Sequence, residues 1–399
     1  MGLRREPVSI ICVFNDADVR RDCLDRSIDA HRAEALDVDY LPIDNVGSAF
    51  ASAGAALNHG ARLARNDYLV FAHQDVYLHS LPALEQAAGL LADDPSLGLL
   101  GAIGIAADGR LHGRIRDRVV LLGESEPVPV EVDSVDEVLF VIPRANLLAE
   151  PLAEVAELAW HAYGVEYGLR VRGQGRRVAA MNLAITHNSL TINLAKLDVA
   201  HAEVGSRYPD TLPVRTTCGT ITSARSGSAH STFLQGHRWR YPWLKESRIA
   251  HRARRAAGGG TFLLSDIRRD IDEVIRDRPE PLTIVNVEDD PSAFEEDHHQ
   301  PLALRRRNQP IEVSSVRRAG LAQLLGSRSA VQSLLITNLV SDDFTLIGQL
   351  IEPAQRIAGY HEGIGCWLLL GPATANPAAG WRSARATPFG MRALGAALG

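Results

Sequence analysis

The chain has 399 residues, of which 46% are hydrophobic, with 42 Lys and Arg against 48 Asp and Glu. That length exceeds one ordinary core of about 100–200 residues, so two domains are expected, and the apolar content excludes a wholly disordered chain. The formal net charge of −6 argues against a nucleic-acid partner, which would need a basic excess. No apolar stretch approaches the roughly 18 residues of a transmembrane segment, and the scattered cysteines form no CxxC pair, so a cytoplasmic protein is expected.

The first 190 residues alternate short apolar runs with helical patterns. Val8–Phe14 is a continuous apolar run typical of a strand buried on both faces, and Val38–Asp44 and Tyr68–Ala72 are the second and third predicted strands. Helices are expected over Ser48–Ala64 and from about Ser80 to Ala92. This order of elements predicts an α/β fold with a mainly parallel, doubly wound sheet.

Residues 97–147 interrupt that alternation with short extended segments punctuated by Gly and Pro. The predicted segments are Leu97–Ala106, Val119–Gly123, Val128–Val132 and Val138–Pro143. Helical patterns return at Leu152–His161 and Glu166–Gln174, and a final strand over Arg177–Thr186 runs into His187.

The composition changes after this strand and suggests how the domains divide. Residues 1–245 are expected to form the first domain, with 190–245 as a flap or lid, and the basic, Gly-rich stretch 246–260 is the best linker. Residues 261–399 are long enough for a smaller α/β accessory domain. Their strand–helix rhythm is faintly similar to the late part of some methyltransferases, but no GxG turn follows the first strand. An accessory role, a dimerisation role and a homodimer all stay open.

Polar side chains follow each of the first three predicted strands. They are Asn15 after the first, Asp44-Asn45 at the end of the second, and His73 and Asp75 after the third. The carboxyl ends of parallel strands share one edge of a sheet, so these residues should converge.

The spacing of His73 and Asp75 predicts a metal site. Residues two apart on an extended chain face the same way, and His187 at the end of the last strand could complete the ligand set. Carboxylates suit Mg²⁺ or Mn²⁺, and imidazole shifts the preference towards Mn²⁺. The alternative is that His73 is a core histidine and Asp75 a turn residue.

Five segments of the chain, taken in their order, resemble the successive motifs of one protein family. They are VSIICVFND, VDYLPIDNVGS, ALNHGARLARNDYLVFAHQDVYL, VDEVLFVIPR and WHAYGVEYGLRVRGQGRRVAAMNLAITHNS. In this order, residues 6–190 resemble family 2 glycosyltransferases of the GT-A fold, especially the glycosyltransferase-like branch first noted in streptomycin biosynthesis. The resemblance implies a metal-dependent, inverting transfer of a sugar from a nucleotide-diphosphate sugar to an acceptor that the sequence does not identify.

The resemblance also assigns roles on the donor side of the site. Asp44 would hydrogen-bond the nucleotide base, with Asn15 and Asn45 nearby. Asn58 would lie where the backbone approaches the donor, although a helix kink explains this residue nearly as well. In this chain Asn45 replaces the second aspartate of the usual pair, which removes one expected contact.

The same comparison assigns the metal and acceptor residues. Asp75 matches the last aspartate of the DxD motif and His187 the histidine ligand, while His73 replaces the first aspartate and should weaken Mg²⁺ binding. Asp136 belongs to the segment that usually begins Val-Asp-Gly and would face the acceptor.

The catalytic base is the largest departure from the family pattern. The usual carboxylate falls on Gly164, which leaves Glu166 as the nearby candidate, although a helix N-terminal acid favoured by the dipole explains Glu166 equally well. One alternative is therefore a sugar-nucleotide-binding module without a base. A further alternative, which concerns the C-terminal region, is a fusion of the transferase with a methyltransferase-like domain.

Overall fold

The computed structural model describes most of the first half of the chain and selected strands of the second. The described residues are 4–117, 120–123, 126–188, 196–222, 282–288, 311–321, 323–324, 333–340, 366–371 and 382–386. The chain divides into two compact units, unit 1 with Met1–Ile115 and Gly123–Leu263, and unit 2 with Arg116–Leu122 and Leu264–Gly399. The predicted linker at 246–260 and the end of the predicted lid, 223–245, lie outside the described residues.

The helices of the described residues are short to medium in length. The α-helices are α1 (Ala17–Arg20), α2 (Arg26–His31), α3 (Ala53–Leu63), α4 (Leu81–Asp93), α5 (Arg144–Ala149), α6 (Tyr163–Gly173) and α7 (Leu197–Arg207). A π-helical turn, Arg21–Asp25, joins α1 to α2. Single 3₁₀ turns occur at Arg32–Glu34, Ala156–Leu158, Pro209–Thr211 and Arg318–Gly320. None of the helices in these ranges has the length and apolar character that crossing a membrane requires.

The strands are numbered in chain order. They are β1 (Val8–Phe14), β2 (Val38–Asp44), β3 (Tyr68–Ala72), β4 (Val76–Leu78), β5 (Leu97–Gly101), β6 (Gly104–Ile105), β7 (Leu111–His112), β8 (Ile115–Asp117), β9 (Val120–Leu122), β10 (Val130–Glu131), β11 (Ser134–Val135), β12 (Leu139–Pro143), β13 (Arg177–Ala180), β14 (Ile185–His187), β15 (Val214–Thr216), β16 (Gly219–Ile221), β17 (Leu282–Glu288), β18 (Ile311–Arg317), β19 (Ser333–Val340), β20 (Cys366–Gly371) and β21 (Arg382–Ala386).

Unit 1 is built on a seven-stranded sheet with the order β10-β13-β5-β12-β3-β1-β2. β1 pairs in parallel with β2 and β3, and β5 pairs in parallel with β13, so the predicted α/β fold with a mainly parallel sheet is confirmed. The first three strands all have the predicted bounds. β1 and β3 are continuous apolar runs, which suit strands covered on both faces, whereas β2 lies at the edge of the sheet and is partly exposed. In β1, Ile10 and Ile11 are fully buried.

The antiparallel strand β12 brings a loop to the same sheet edge as the polar strand ends. β12 pairs antiparallel with β3 so that Leu139 lies opposite Ala72, and the amide of His73 donates to the Val138 carbonyl at 3.1 Å. The residues just before β12 therefore lie beside the carboxyl ends of β1 and β3.

Two predicted helices begin elsewhere. The helix expected from Ser48 begins at Ala53, where the Ser52 hydroxyl accepts from the Ala55 amide at 3.1 Å as an N-cap. Ser48 has a φ of 55°, which a right-handed helix excludes. The helix expected from Glu166 begins three residues earlier, at Tyr163.

The predicted helix over Leu152–His161 is wrong. The structure has only the 3₁₀ turn Ala156–Leu158 there. The backbone of Leu152 is instead tied to the Asn58 side chain, which accepts from its amide at 3.0 Å and donates to its carbonyl at 2.9 Å. A side chain that satisfies both backbone groups competes with helical hydrogen bonds.

The predicted strand Arg177–Thr186 is two strands in different sheets. β13 ends at Ala180, Ala184 has a φ of 48°, and β14 then begins. β14 pairs antiparallel with β4, which places His187 opposite Val76. The predicted strand Leu97–Ala106 is likewise divided into β5 and β6.

Gly60 lets α3 approach the central sheet closely. A Cβ at this position would lie 2.6 Å from Ile11 Cγ2 and 3.3 Å from Ile43 Cγ1. Gly60→Ala should therefore lower the free energy of unfolding by about 1–3 kcal/mol through overpacking, despite the better helix propensity of alanine. Urea unfolding would measure this loss. Gly173→Ala, at the end of α6 with open space around the added methyl, is the control and should change stability little.

Unit 2 contains a five-stranded sheet with the order β18-β17-β19-β20-β21. β17 pairs in parallel with β18 and β19, β19 pairs in parallel with β20, and only β21 is antiparallel to its neighbour within this described sheet. Ile284, Val285 and Ile336 are fully buried. The accessory, dimerisation and methyltransferase-like roles for this part of the chain stay predictions.

Candidate metal and donor site

Three potential metal ligands converge beside the end of β3. His73 follows β3, Asp75 precedes β4, and His187 ends β14. One ligand atom from each residue can be chosen so that all three lie within 4.8 Å of one another. The pairing of β14 with β4 explains the convergence, and the Asn188 amide donates to the Asp75 carbonyl at 2.8 Å. The structure thus brings together the residues that the sequence predicted as metal ligands.

The charge and burial of Asp75 fit a cation at this position. Its Oδ1 is buried without a well-aligned hydrogen bond, and His187 Nε2 lies 3.4 Å away. Burial works to raise the pKa of Asp75, but the charges of His187 and His73 outweigh it and lower the pKa to about 2. A carboxylate oxygen held ionised between two imidazoles is a suitable ligand for a divalent ion such as Mn²⁺.

A cavity of about 580 Å³ opens beside this cluster, within the size range of small-molecule sites. It is lined by Val13, Phe14, Asn15, Asn45, Val46, Ser48, Ala53, Leu57, Phe71, Ala72, His73, Gln74, Asp75, Glu137, Trp160 and Tyr163. Most of these residues come from the carboxyl ends of β1 to β3 and from the segments before β12 and α6. The cavity lies where ligands bind in open α/β sheets.

Two of the four predicted nucleotide-binding residues line this cavity. Asn15 is held by Gln74, whose amide nitrogen donates to Asn15 Oδ1 at 2.8 Å and whose oxygen accepts from the Asn15 amide at 2.9 Å. Asn45 is buried, and its side chain accepts from the Phe50 amide at 2.8 Å. Asp44 is exposed and accepts from the Val46 amide at 2.8 Å, outside the cavity lining.

Asn58 does not line the cavity, where its predicted role near the donor would require it to be. It is buried, it binds both backbone groups of Leu152, and its Nδ2 also donates to Glu154 Oε1 at 2.9 Å. These contacts connect α3 to the segment that follows α5.

The two predicted catalytic carboxylates are both engaged within the protein. Asp136 accepts from the Val138 amide at 3.0 Å and from the Thr217 hydroxyl at 2.6 Å. Glu166 is 1% exposed, and it pairs with Arg170 at 3.0 Å and accepts from the Tyr208 hydroxyl at 2.7 Å. Neither residue lines the cavity, and these contacts favour structural roles for both.

The cavity lining also contains Glu137, which sequence reasoning passed over, and Gln74, which it placed among the polar strand ends without a role. Glu137 Oε1 accepts from the Gly164 amide at 3.2 Å at the start of α6. Burial and then the charge of Asp136 raise the pKa of Glu137 to about 8. The sequence did carry one indication of Glu137. It places a glutamate where the family segment that resembles VDEVLFVIPR usually has glycine. For Gln74, the only indication was its position between the two candidate ligands His73 and Asp75.

Several solved structures align with the structure of this chain, all at low similarity. The mannosyltransferase PcManGT from Pyrobaculum calidifontis, in complex with GDP-Man and Mn²⁺, has a TM-score of 0.36 and 12% identity over 68% of this chain and 79% of its own. GalNAc-T7 with UDP, GalNAc and Mn²⁺ has a TM-score of 0.35 and 10% identity, over 54% and 52%. S. aureus TarS has a TM-score of 0.33 and 11% identity, over 50% and 39%. At these scores the likenesses assign neither a substrate nor a mechanism.

The sequence comparisons bear on the first part of unit 1. No curated protein matches the chain. The narrower placement in the streptomycin-type branch stays a prediction. Residues 9–111, which contain β1 to β3 and both His73 and Asp75, match the model of the glycosyltransferase-like family, so this part of the chain is similar to that family.

Proposed function

We propose that unit 1 is a metal-dependent glycosyltransferase that uses a nucleoside-diphosphate sugar as donor and inverts the anomeric centre. The observation that carries the proposal is the convergence of His73, Asp75 and His187 beside a cavity of about 580 Å³. Two of the three residues, together with β1 to β3, lie in the stretch that matches the glycosyltransferase-like family.

The residues present suit a diphosphate donor. His73, Asp75 and His187 would hold a divalent ion, with Mn²⁺ preferred because two of the three ligands are imidazoles. Such an ion, when bound, neutralises the negative charge that grows on a diphosphate leaving group. Asp75, which is ionised and lines the cavity, would otherwise repel that group.

The other lining residues supply binding and orientation. Asn15, fixed by Gln74, and Asn45, fixed by the Phe50 backbone, present amide groups at the strand ends and would hold the nucleoside. Trp160 is 45% exposed and lines the same cavity, so its ring offers a face on which a base or a sugar can stack. The acceptor would enter from the side of the cavity formed by the segments before β12 and α6.

Calorimetric titration of the full chain with UDP, GDP and dTDP, with and without Mn²⁺, tests this function. We expect at least one nucleotide to bind and its affinity to fall when Mn²⁺ is removed by a chelator. The release of nucleoside diphosphate from the matching nucleotide sugars would then measure turnover. Absence of Mn²⁺-dependent binding to all three nucleotides would contradict the proposal.

A second candidate is a sugar-nucleotide-binding module without transfer activity. Gly164 at the usual position of the base is the observation that favours it. Under this alternative, nucleotide and Mn²⁺ bind, but no nucleotide sugar is turned over. The binding and turnover measurements therefore separate the two candidates.

A further inference from the structure

The space beside the start of α6 is filled by a carboxylate from another part of the chain. A Cβ built on Gly164 would lie 3.0 Å from Glu137 Cγ and 3.5 Å from Glu137 Oε1. A side chain at position 164 and the side chain of Glu137 would therefore compete for one place. The absence of a side chain at Gly164 lets Glu137 reach the cavity.

The fold around Glu137 explains why it can reach this place. β12 runs antiparallel to β3, so the loop before β12 lies at the carboxyl edge of β1 and β3. The Gly164 amide donates to Glu137 Oε1 at 3.2 Å and orients the carboxylate. Glu137 lines the cavity together with His73 and Asp75, whereas Glu166 does not.

Resting on the proposed function, we infer that Glu137 is the catalytic base of this enzyme and takes the proton of the acceptor hydroxyl. In the transfer step, the acceptor oxygen forms a bond to the anomeric carbon. The bond between that carbon and the diphosphate oxygen breaks, and its electron pair leaves with the nucleoside diphosphate. The acceptor's proton passes to the Glu137 carboxylate and from there to solvent.

The surroundings of Glu137 suit a base that works near neutral pH. Burial, and then the charge of Asp136, raises the pKa of Glu137 to about 8, although the amides of Gly164 and Val165 act to lower it. The Tyr163 phenol faces it from α6, and burial raises the pKa of this phenol well above its usual range. A carboxylate with a raised pKa is a stronger base than an exposed one, and base efficiency peaks when the pKa lies near the working pH.

The sharpest variant is Glu137→Gln, which keeps an oxygen that can accept from the Gly164 amide. The measurement is nucleoside diphosphate release from UDP-, GDP- and dTDP-sugars in the presence of Mn²⁺, with water as acceptor. We expect turnover to fall about 10²- to 10⁴-fold, the usual contribution of general base catalysis. Mn²⁺-dependent nucleotide affinity and urea unfolding should stay unchanged. Glu131→Gln, an exposed glutamate on β10, is the matched control and should leave turnover unchanged.

The pH profile separates a base from a structural residue. Wild-type turnover should rise about tenfold per pH unit up to about pH 8, because only the ionised form of Glu137 accepts the proton. The Glu137→Gln variant should lose this rising limb, and Glu166→Gln should keep it. A limb that disappears in Glu166→Gln and persists in Glu137→Gln would overturn the inference.

A double variant tests whether the loss of activity comes from the missing carboxylate or from a disturbed structure at position 137. Glu137→Gly should be inactive, and adding Gly164→Asp should restore part of the turnover, since the new carboxylate enters the space that Glu137 vacates. If the wild type turns over a donor and Glu137→Gln does so at the same rate, the assignment of the base is overturned and the proposed function still stands. Failure of the wild type both to bind nucleotide and to turn over any donor would overturn both.

Discussion

Replacing Asp75 with Asn should remove Mn²⁺-dependent nucleotide binding while unit 1 remains folded. Asparagine has nearly the same shape, but it lacks the negative charge that the two neighbouring imidazoles cannot supply to a cation. Changes to the outer partners of metal ligands already cost about 10- to 100-fold in metal affinity. The loss of the carboxylate at the centre of this cluster should cost at least as much.

Calorimetric titration with Mn²⁺, followed by nucleotide, would measure both affinities in Asp75→Asn. Asp29→Asn, an exposed aspartate on α2, is the control and should bind as the wild type does. Urea unfolding would establish that Asp75→Asn is folded. An unchanged Mn²⁺ affinity in a folded variant would show that this cluster is not the metal site.

Replacing Arg170 with Met should lower the free energy of unfolding by about 3 kcal/mol, because it leaves the buried Glu166 carboxylate without its cation. The hydrogen bond from Tyr208 remains, but it compensates only part of a buried charge. Urea unfolding followed by circular dichroism would measure the loss.

The double variant Arg170→Met with Glu166→Gln identifies the cause of that loss. Removing the charge from Glu166 should restore most of the stability, since a neutral amide is less costly to bury than an unpaired carboxylate. Arg62→Met, an exposed arginine on α3, is the control and should change stability by less than about 0.5 kcal/mol. A double variant as unstable as the single one would mean that Arg170 stabilises the fold through other contacts. Those contacts include its hydrogen bond to the Pro151 carbonyl.

Sequence reasoning predicted best the parts of unit 1 that depend on local pattern. The apolar runs of β1 and β3 and the strand candidate at β2 gave correct strand bounds, and the polar residues after β1 and β3 placed Asn15, His73 and Asp75 at one sheet edge. His187 was proposed from its place at the end of the last predicted strand, the family resemblance supported it, and the structure brings it to the same cluster.

The errors arose where contacts distant in the sequence decide local structure. The helix expected over Leu152–His161 is absent because Asn58, far earlier in the chain, binds the Leu152 backbone. Glu137 was passed over because its position depends on the antiparallel pairing of β12 with β3, which hydrophobic periodicity does not report. Glu166 was favoured for its closeness in sequence to Gly164, although its side chain points to Arg170 and Tyr208.

The pairing of β14 with β4 also has a thermodynamic consequence. His187 belongs to a late strand, whereas His73 and Asp75 follow an early one, so the complete ligand set exists only after these distant parts of unit 1 have come together. A cation that binds the folded form and not the unfolded chain stabilises the fold in proportion to the logarithm of its concentration. If the proposed metal binds this cluster, a higher concentration of it would therefore raise the free energy of unfolding of unit 1 as well as support turnover.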